Sequence, residues 1–158
     1  MSPTPTEPRG MYFEEFQPGL KIRTAGRTIT ETDIVSFAGL SGDYNPMHVD
    51  AEYSQATPFG QRVAHGLLGL AIASGLAMQT GVLEKTVMAF REIDNWKFVK
   101  PVLIGDTIHV EMEVQETKAM GRIGGGAVSI GLEVQNQRNE TVMKGVWIVL
   151  VVSKPKAG

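Results

Sequence analysis

The chain of 158 residues contains no cysteine. A disulfide-stapled scaffold, a thiolate nucleophile and a cysteine-ligated zinc or iron–sulfur site are therefore excluded. Because a reducing compartment suits such a chain, we predict a cytoplasmic location. An excess of positive charge is also missing, since 15 Lys and Arg residues face 17 Asp and Glu residues. We therefore expect no nucleic-acid partner, because binding phosphates needs a basic surface.

Long hydrophobic runs are absent as well. The most apolar segment, Leu67 to Met78, has 12 residues, whereas crossing a bilayer takes about 20. We predict a buried helix there and no membrane partner. Residues 1–12 are rich in proline without an apolar run, which indicates a disordered leader and no signal peptide. The remaining chain is predicted to be one domain over 13–153 with a short tail over 154–158.

Periodicity divides the chain into a helical first half and a strand-rich second half. A short strand over 20–29 precedes helical spacing over 31–40, a short helical segment over 50–55 and an apolar helix over 66–80. From residue 86 the period changes to two, which predicts four antiparallel strands. Hiding one apolar helix beside about five strands requires a curved antiparallel sheet, so we predict a single α+β domain. The four strands are expected at 86–98, 107–116, 127–135 and 141–152, with a hairpin loop at 136–140.

A loop between the first two helical segments carries an acid and an imidazole. Pro46 should end the first helix and leave Asp43 and His48 on a stiff loop. An Asp and a His that converge on one water can share the roles of base and acid. A structural alternative stays open, in which Asp43 or Asn45 makes an Asx turn and His48 is a half-buried ring with satisfied hydrogen bonds.

The start of the apolar helix is a second candidate for chemistry. Its first N–H groups lack internal partners, so an oxyanion could bind at His65 and Gly66, although these residues could equally just begin the helix. Ser74 follows about 12 Å along the axis and is by default a small packing residue. The spacing of His48, His65 and His109 matches no zinc-binding pattern, so we predict no metal site.

Read together, these residues resemble the signature of the MaoC-like dehydratases, the family of (R)-specific enoyl-CoA hydratases. The resemblance lies in Phe37-Ala-Gly-Leu-Ser-Gly-Asp43-Tyr-Asn45-Pro46-Met-His48-Val-Asp50, Phe59-Gly60 and Ala64-His65-Gly66. With the order of elements, it covers about residues 13 to 152. It implies a hot-dog fold, in which the curved sheet wraps the long central helix at 66–80.

The resemblance also implies a role for each motif residue. Asp43 and His48 would hold and activate a water that adds across the double bond of a trans-2-enoyl thioester, and Asn45 would orient the loop. The Gly66 N–H would polarise the thioester carbonyl, with Ser74 supporting the site. The expected product is the (R)-3-hydroxyacyl thioester, formed without a metal or redox cofactor. The substrate-binding residues would be Phe59, Gly60, His65 and Arg62.

The expected partners are an acyl-CoA substrate and a second copy of the chain. Either coenzyme A or a protein-borne phosphopantetheine could carry the acyl group. A homodimer or higher homo-oligomer is expected because the sheet would otherwise leave an edge strand open. A hot-dog acyl-CoA thioesterase and a non-catalytic acyl-CoA binding module are the alternatives, and Asp43 with His48 favours the hydratase. The basic residues that could contact coenzyme A are Arg62, Lys97, Lys100 and Arg122.

Overall fold

The computed structural model describes residues 10–158 and has the α+β architecture that the sequence predicts. An antiparallel sheet has the strand order β1-β4-β5-β6-β3, and the short β2 pairs with β4 beside β1. Two single 3₁₀ turns lie at Phe13–Glu15 and Gly121–Ile123. The elements are β1 (Lys21–Arg23), β2 (Arg27–Thr28), α1 (Glu31–Ser41), α2 (Pro46–Val49), α3 (Ala51–Gln55), α4 (Gly66–Gln79), β3 (Val87–Phe98), β4 (Thr107–Met120), β5 (Gly125–Gln135) and β6 (Thr141–Val152).

The strand predicted over 20–29 is two strands, so the sheet has six strands rather than about five. The break falls at Thr24, whose hydroxyl accepts a hydrogen bond from the Val110 N–H at 2.9 Å and donates one to the Ala25 carbonyl at 2.8 Å. The hydroxyl replaces the main-chain acceptor for the Val110 N–H, while the Thr24 N–H still donates to the Val110 carbonyl at 3.0 Å, and the strand ends here. The four long strands lie where period two predicts them, and β5 and β6 are joined by the expected loop.

The core lies between one face of the sheet and one face of α4. Alternate residues of β4 and β5 point inward, as a half-buried strand requires. They are Ile108, Val110, Met112 and Val114 on β4, and Val128, Ile130, Leu132 and Val134 on β5.

Helix α4 is covered on one side only, although its sequence is apolar nearly all round. Leu68, Ile72 and Leu76 are buried against the sheet, whereas Leu67 is 63% exposed and Met78 is 42% exposed. Within this single chain the sheet therefore does not enclose the helix completely. No helix within residues 10–158 combines the length and hydrophobicity that a membrane span needs.

The predicted leader lies mostly outside the described residues. Its last residues, 10–12, pack against the domain, because Gly10 and Met11 donate backbone hydrogen bonds to Glu84 and Val82. The expectation of disorder therefore does not apply to these residues. At the other end, residues 154–158 contain no helix or strand.

Candidate active site

The carboxylate of Asp43 has two different environments. Helix α1 ends at Ser41, and the following Gly42, with a left-handed φ of 78°, turns the chain toward Asp43. Oδ1 of Asp43 accepts a hydrogen bond from the Asn45 N–H at 3.1 Å, which forms the predicted Asx turn. Oδ2 lies 3.9 Å from Nε2 of His48. One oxygen thus builds the loop while the other faces the imidazole. The Asx turn is present in the structure, and the catalytic role of Asp43 stays a prediction.

His48 sits on a single helical turn, α2, and not on the predicted loop. Pro46 is the first residue of that turn, which its fixed φ suits. The ring is buried, and Nδ1 lies 2.7 Å from the carbonyl oxygen of Val63. Because a carbonyl only accepts, Nδ1 carries the hydrogen, and in the neutral ring Nε2 keeps its lone pair toward Asp43. The 3.9 Å separation is too long for a direct hydrogen bond but suits two bonds to one bridging water.

His65 packs directly on this pair. Its ring stacks on His48 with centroids 3.8 Å apart, and it contacts Phe37 at 4.8 Å. Nε2 of His65 lies 3.0 Å from the main-chain oxygen of Asp43, while Nδ1 is buried without a hydrogen-bond partner among the described residues. One ligand atom each from Asp43, His48 and His65 lies within 4.8 Å of the others. Sequence spacing did not indicate this convergence, because His65 comes from the start of another element.

Gly66 is the first residue of α4, at one wall of a cavity of about 560 Å³. A Cβ on Gly66 would lie 2.8 Å from the Phe98 ring, and one on Gly69 would lie 2.8 Å from Cε of Met143. The two glycines therefore allow these side chains to approach the helix closely. The cavity is lined by Met47, His48, Phe59, Val63, Ala64, His65, Gly66, Leu67, Gly69, Phe98, Val99, Lys100, Pro101, Val102 and Met143.

The other predicted substrate-binding residues differ in position. Phe59 lines the cavity, and Gly60 lies in the adjoining turn with a φ of 69°. The guanidinium of Arg62 bridges α1 and α2: Nε donates to the His48 carbonyl at 2.7 Å, and Nη1 lies 2.6 Å from Oε1 of Glu31. Neither Gly60 nor Arg62 is among the described residues that line the cavity.

Ser74 is not brought together with Asp43 and His48. Its hydroxyl donates to the Ala71 carbonyl at 2.6 Å, as expected for a serine inside a helix. It borders a second cavity of about 330 Å³, whose lining is mainly apolar and includes Met78, Phe90 and Trp147. The active-site role that the resemblance implies for Ser74 stays a prediction.

Only one of the four basic candidates for coenzyme A, Lys100, lines the first cavity. Its ammonium lies 2.8 Å from Oε1 of Glu140 at the hairpin between β5 and β6. Hydrogen bonds from Asn136, Lys100 and Arg138 lower the pKa of Glu140 to about 2. This charged cluster ties Lys100, which lines the cavity, to the hairpin. Lys97 lies on β3 beside a different groove, and Arg122 lies in the turn after β4.

Three contributors to the site were not identified from the sequence. The carbonyl of Val63 orients His48, and no side-chain pattern reveals a main-chain acceptor. Met143 and Phe98 fall within the strands predicted over 141–152 and 86–98 and carry no site motif, yet both line the cavity. Strand alternation puts Met143 on the same face of β6 as the core residue Trp147. This alternation is the sequence signal that indicates an inward-facing Met143.

Comparison with known proteins gives a consistent picture. The family model described as MaoC like domain matches residues 15–136. The chain is 45% identical over 101 residues to protein MaoC of Klebsiella aerogenes, covering 64% of this chain but only 30% of that protein. It is 40% identical over 103 residues to an (R)-specific enoyl-CoA hydratase of Rhodospirillum rubrum, covering 65% of this chain and 69% of the relative. The chain thus spans less than a third of the first relative and about two thirds of the second.

Solved structures agree with the fold. One from Archaeoglobus, described as a monoamine oxidase regulatory protein, superposes with a TM-score of 0.86 at 40% identity, covering 92% of this chain and 97% of that one. A Mycobacterium tuberculosis protein described as a double hot-dog fold superposes with a TM-score of 0.81 at 18% identity, covering 95% of this chain and 47% of that one. The second likeness concerns the fold alone, and it confirms the predicted hot-dog architecture.

Proposed function

The chain belongs to the MaoC-like domain family, and we propose that it is a lyase that reversibly hydrates trans-2-enoyl-CoA to (R)-3-hydroxyacyl-CoA. The name of its Rhodospirillum rubrum relative supports this reaction. One observation carries the proposal: Oδ2 of Asp43 and Nε2 of His48 lie 3.9 Å apart, beside the cavity at which α4 begins.

In the proposed mechanism, Asp43 and His48 hold one water between them. Nδ1 of His48 is committed to the Val63 carbonyl, so Nε2 is the atom that takes a proton from the water. The water oxygen bonds to C3 of the enoyl group as the double bond opens. The resulting carbanion at C2 is an enolate of the thioester. Nε2 of His48 then transfers the proton that it took from the water to C2. Asp43 accepts the second hydrogen of the water and keeps the attacking oxygen in position.

The developing enolate needs a partner for its negative oxygen. The N–H of Gly66 begins α4, where amide groups have no intrahelical acceptor and the helix dipole favours negative charge. This N–H stabilises the enolate oxygen more strongly than the neutral thioester carbonyl, so the barrier is lowered for hydration and for dehydration. The apolar walls of the cavity suit an acyl chain. The substrate contacts of Phe59, Gly60, His65 and Arg62, and the support from Ser74, belong to this proposal as expectations.

The proposed assembly is a homodimer or a higher homo-oligomer. Strand β3 ends the sheet, and its exposed apolar residues include Phe90 and Ile93. An open edge of this length exposes unpaired backbone groups and promotes aggregation. A second copy of the chain would cover this edge. Sedimentation should therefore give at least a dimer, and Phe90→Lys should weaken it. Leu40→Lys, at an 85% exposed residue on α1, should have no effect. A stable parent monomer at micromolar concentration would contradict the proposed assembly.

The decisive experiment is an assay with a series of trans-2-enoyl-CoA chain lengths. Loss of the enoyl double bond should accompany formation of the (R)-3-hydroxyacyl product, with its configuration determined for each length. Asp43→Asn serves as the control, because it keeps the turn acceptor and removes the charge beside His48. Release of free thiol would instead indicate a thioesterase. Saturable binding without either reaction would indicate a binding module.

A further inference from the structure

We propose that Lys100 binds the phosphate at the end of the substrate's pantetheine arm, and that Glu140 holds the lysine ammonium until this phosphate arrives. Coenzyme A and a protein-borne phosphopantetheine both contain this phosphate, so the assignment applies to either carrier. The contact itself requires only that the chain binds acyl thioesters, whereas its effect on KM rests on the proposed hydratase function. Three features support it: the position of Lys100, its anchored main chain and its ion pair with Glu140.

Lys100 is the only Lys or Arg among the described residues that line the active-site cavity. Apart from His48 and His65, the other lining residues are apolar. Such walls suit an acyl chain, whereas a phosphate needs a cation or water. The Lys100 side chain is 50% exposed, so this residue borders both the cavity and the solvent. Among the lining residues, it is therefore the one that can meet the charged end of a thioester whose acyl group lies in the cavity.

The main chain around Lys100 is held from two sides. The N–H groups of Val99 and Lys100 both donate to the Val142 carbonyl on β6, at 2.8 Å and 3.2 Å. The Val102 carbonyl accepts a hydrogen bond from the Ala64 N–H at 2.8 Å, just before α4 begins. These bonds fix the segment relative to the start of α4. The ammonium is carried on a flexible four-carbon stem, so it can move while its main chain stays in place.

The ion pair with Glu140 can be exchanged for a phosphate. The ammonium lies 2.8 Å from Oε1 of Glu140, in a pair whose side chains are 50% and 34% exposed. Such an exposed pair contributes little free energy, so an anionic phosphate can compete for the ammonium. Asn136 and Arg138 also donate hydrogen bonds to the Glu140 carboxylate. The carboxylate therefore keeps two partners when Lys100 leaves it.

The test measures binding separately from turnover, with saturated thioesters that cannot be hydrated. Butanoyl-CoA, butanoyl-4′-phosphopantetheine and butanoyl-pantetheine are titrated into the protein by calorimetry. Lys100→Met keeps the apolar stem and removes the charge, so it should weaken binding of the first two by about three- to tenfold and leave the third unchanged. Lys100→Arg should restore most of the loss, because a guanidinium also binds phosphate. Lys118→Met, at an exposed lysine on β4 that does not line the cavity, is the matched control.

Glu140→Gln tests the holding role, because it releases the ammonium. It should tighten binding of the two phosphorylated thioesters by about twofold, opposite in sign to Lys100→Met. If the ion pair only supported the cavity wall, both variants would weaken binding of all three thioesters, which would overturn the assignment. A Lys100→Met loss confined to butanoyl-CoA would move the contact to the nucleotide and overturn it as well. An unchanged affinity in Glu140→Gln would overturn the holding role.

Turnover of trans-2-enoyl-CoA is then measured with the same variants. Lys100→Met should raise KM by the factor found for binding at unchanged kcat, as expected when substrate and transition state lose the same contact. A parent that binds butanoyl-CoA through Lys100 but hydrates no enoyl-CoA would refute the proposed function and leave the phosphate contact standing. An active parent whose Lys100→Met variant keeps its affinity and KM would refute the contact alone.

Discussion

Two regions of this molecule achieve order by different means. In the sheet formed by β4, β5 and β6, main-chain ladders make the hydrogen bonds and alternate side chains fill the core. In the helical segment over residues 31–66, side chains reach the main-chain oxygens of other loops. His48 bonds to Val63, His65 to Asp43, and Arg62 to His48.

This difference shows how the site acquires its geometry. The polar groups of the segment hold one another, and the sheet contributes apolar walls such as Met143. We therefore expect changes in the helical segment to alter turnover and changes in the sheet region to alter stability. The predictions below test that division, beginning with the largest effect.

Asp43→Asn should reduce turnover by about 10²- to 10⁴-fold, the usual contribution of a general acid–base group. The asparagine oxygen can still accept the hydrogen bond of the Asn45 N–H, so the turn and the melting temperature should be preserved. His48→Gln should have a similar effect. Because the two groups act on one water, the double variant should lose little more than either single variant.

A structural role for Asp43 gives the opposite result. In that case Asp43→Asn would keep its activity and Asp43→Ala would lower the melting temperature, because alanine removes the turn acceptor. Initial rates and thermal melts of the two variants distinguish the cases. A folded, thermally normal Asp43→Asn protein with at least a tenth of the parent hydratase rate would reject the catalytic role.

Gly66→Ala keeps the N–H, but its Cβ would crowd the thioester and misdirect that N–H from the substrate oxygen. Turnover should therefore fall by about 10²- to 10³-fold, the typical cost of losing an oxyanion donor. The structure adds a competing cause, because the new Cβ would lie 2.8 Å from the Phe98 ring. Phe98 is 54% exposed and can be shortened, so Phe98→Leu is added as a second change. If crowding of this ring were the whole cause, the double variant would recover the Phe98→Leu rate, whereas the oxyanion role predicts that it stays slow.

Arg62→Lys should lower kcat by about 10- to 100-fold with little change in KM. Lysine keeps the charge but cannot donate to the His48 carbonyl and Glu31 with the geometry of a guanidinium, so the catalytic turn is less well positioned. Glu31→Gln is the matched control, since it removes the ion pair and leaves the bond to His48. A rise in KM for coenzyme A thioesters at unchanged kcat would instead indicate the predicted substrate contact.

Much of the fold follows from the sequence because its signals are local. Period two located β3 to β6, and the Thr30 capping box with Asp33 marks the start of α1. The break at Thr24 depends on a bond to Val110, 86 residues away in sequence. Such a tertiary contact leaves no local pattern, so the strand was predicted as continuous.

The site was predictable to a different degree. The family motif identified Asp43, His48 and Gly66 as candidate site residues, and the structure brings Asp43 close to His48. The stacking of His65 on His48 depends on how the chain returns between α3 and α4, which no spacing rule contains. For the same reason, spacing alone gave no indication of the three-residue cluster.

The smallest effect is expected in the sheet region, at Glu140. Its folded-state pKa of about 2 lies below the ordinary 4.5 because Asn136, Lys100 and Arg138 hydrogen-bond to the carboxylate. Such a lowered pKa stabilises the fold above pH 4.5, and this contribution is lost as the pH falls from 4.5 toward 2. Glu140→Gln should therefore lower the melting temperature at neutral pH, by roughly a few degrees at most because the group is exposed.

The pH dependence is what distinguishes this ionic contribution from simple packing. The difference in melting temperature between parent and Glu140→Gln should shrink steadily as the pH falls through that window, while a packing defect would give a constant difference. Glu52→Gln, on α3 and outside the hairpin, controls for the loss of one surface charge. A difference that persists unchanged at pH 2 would show that the hairpin does not depend on the ionised carboxylate.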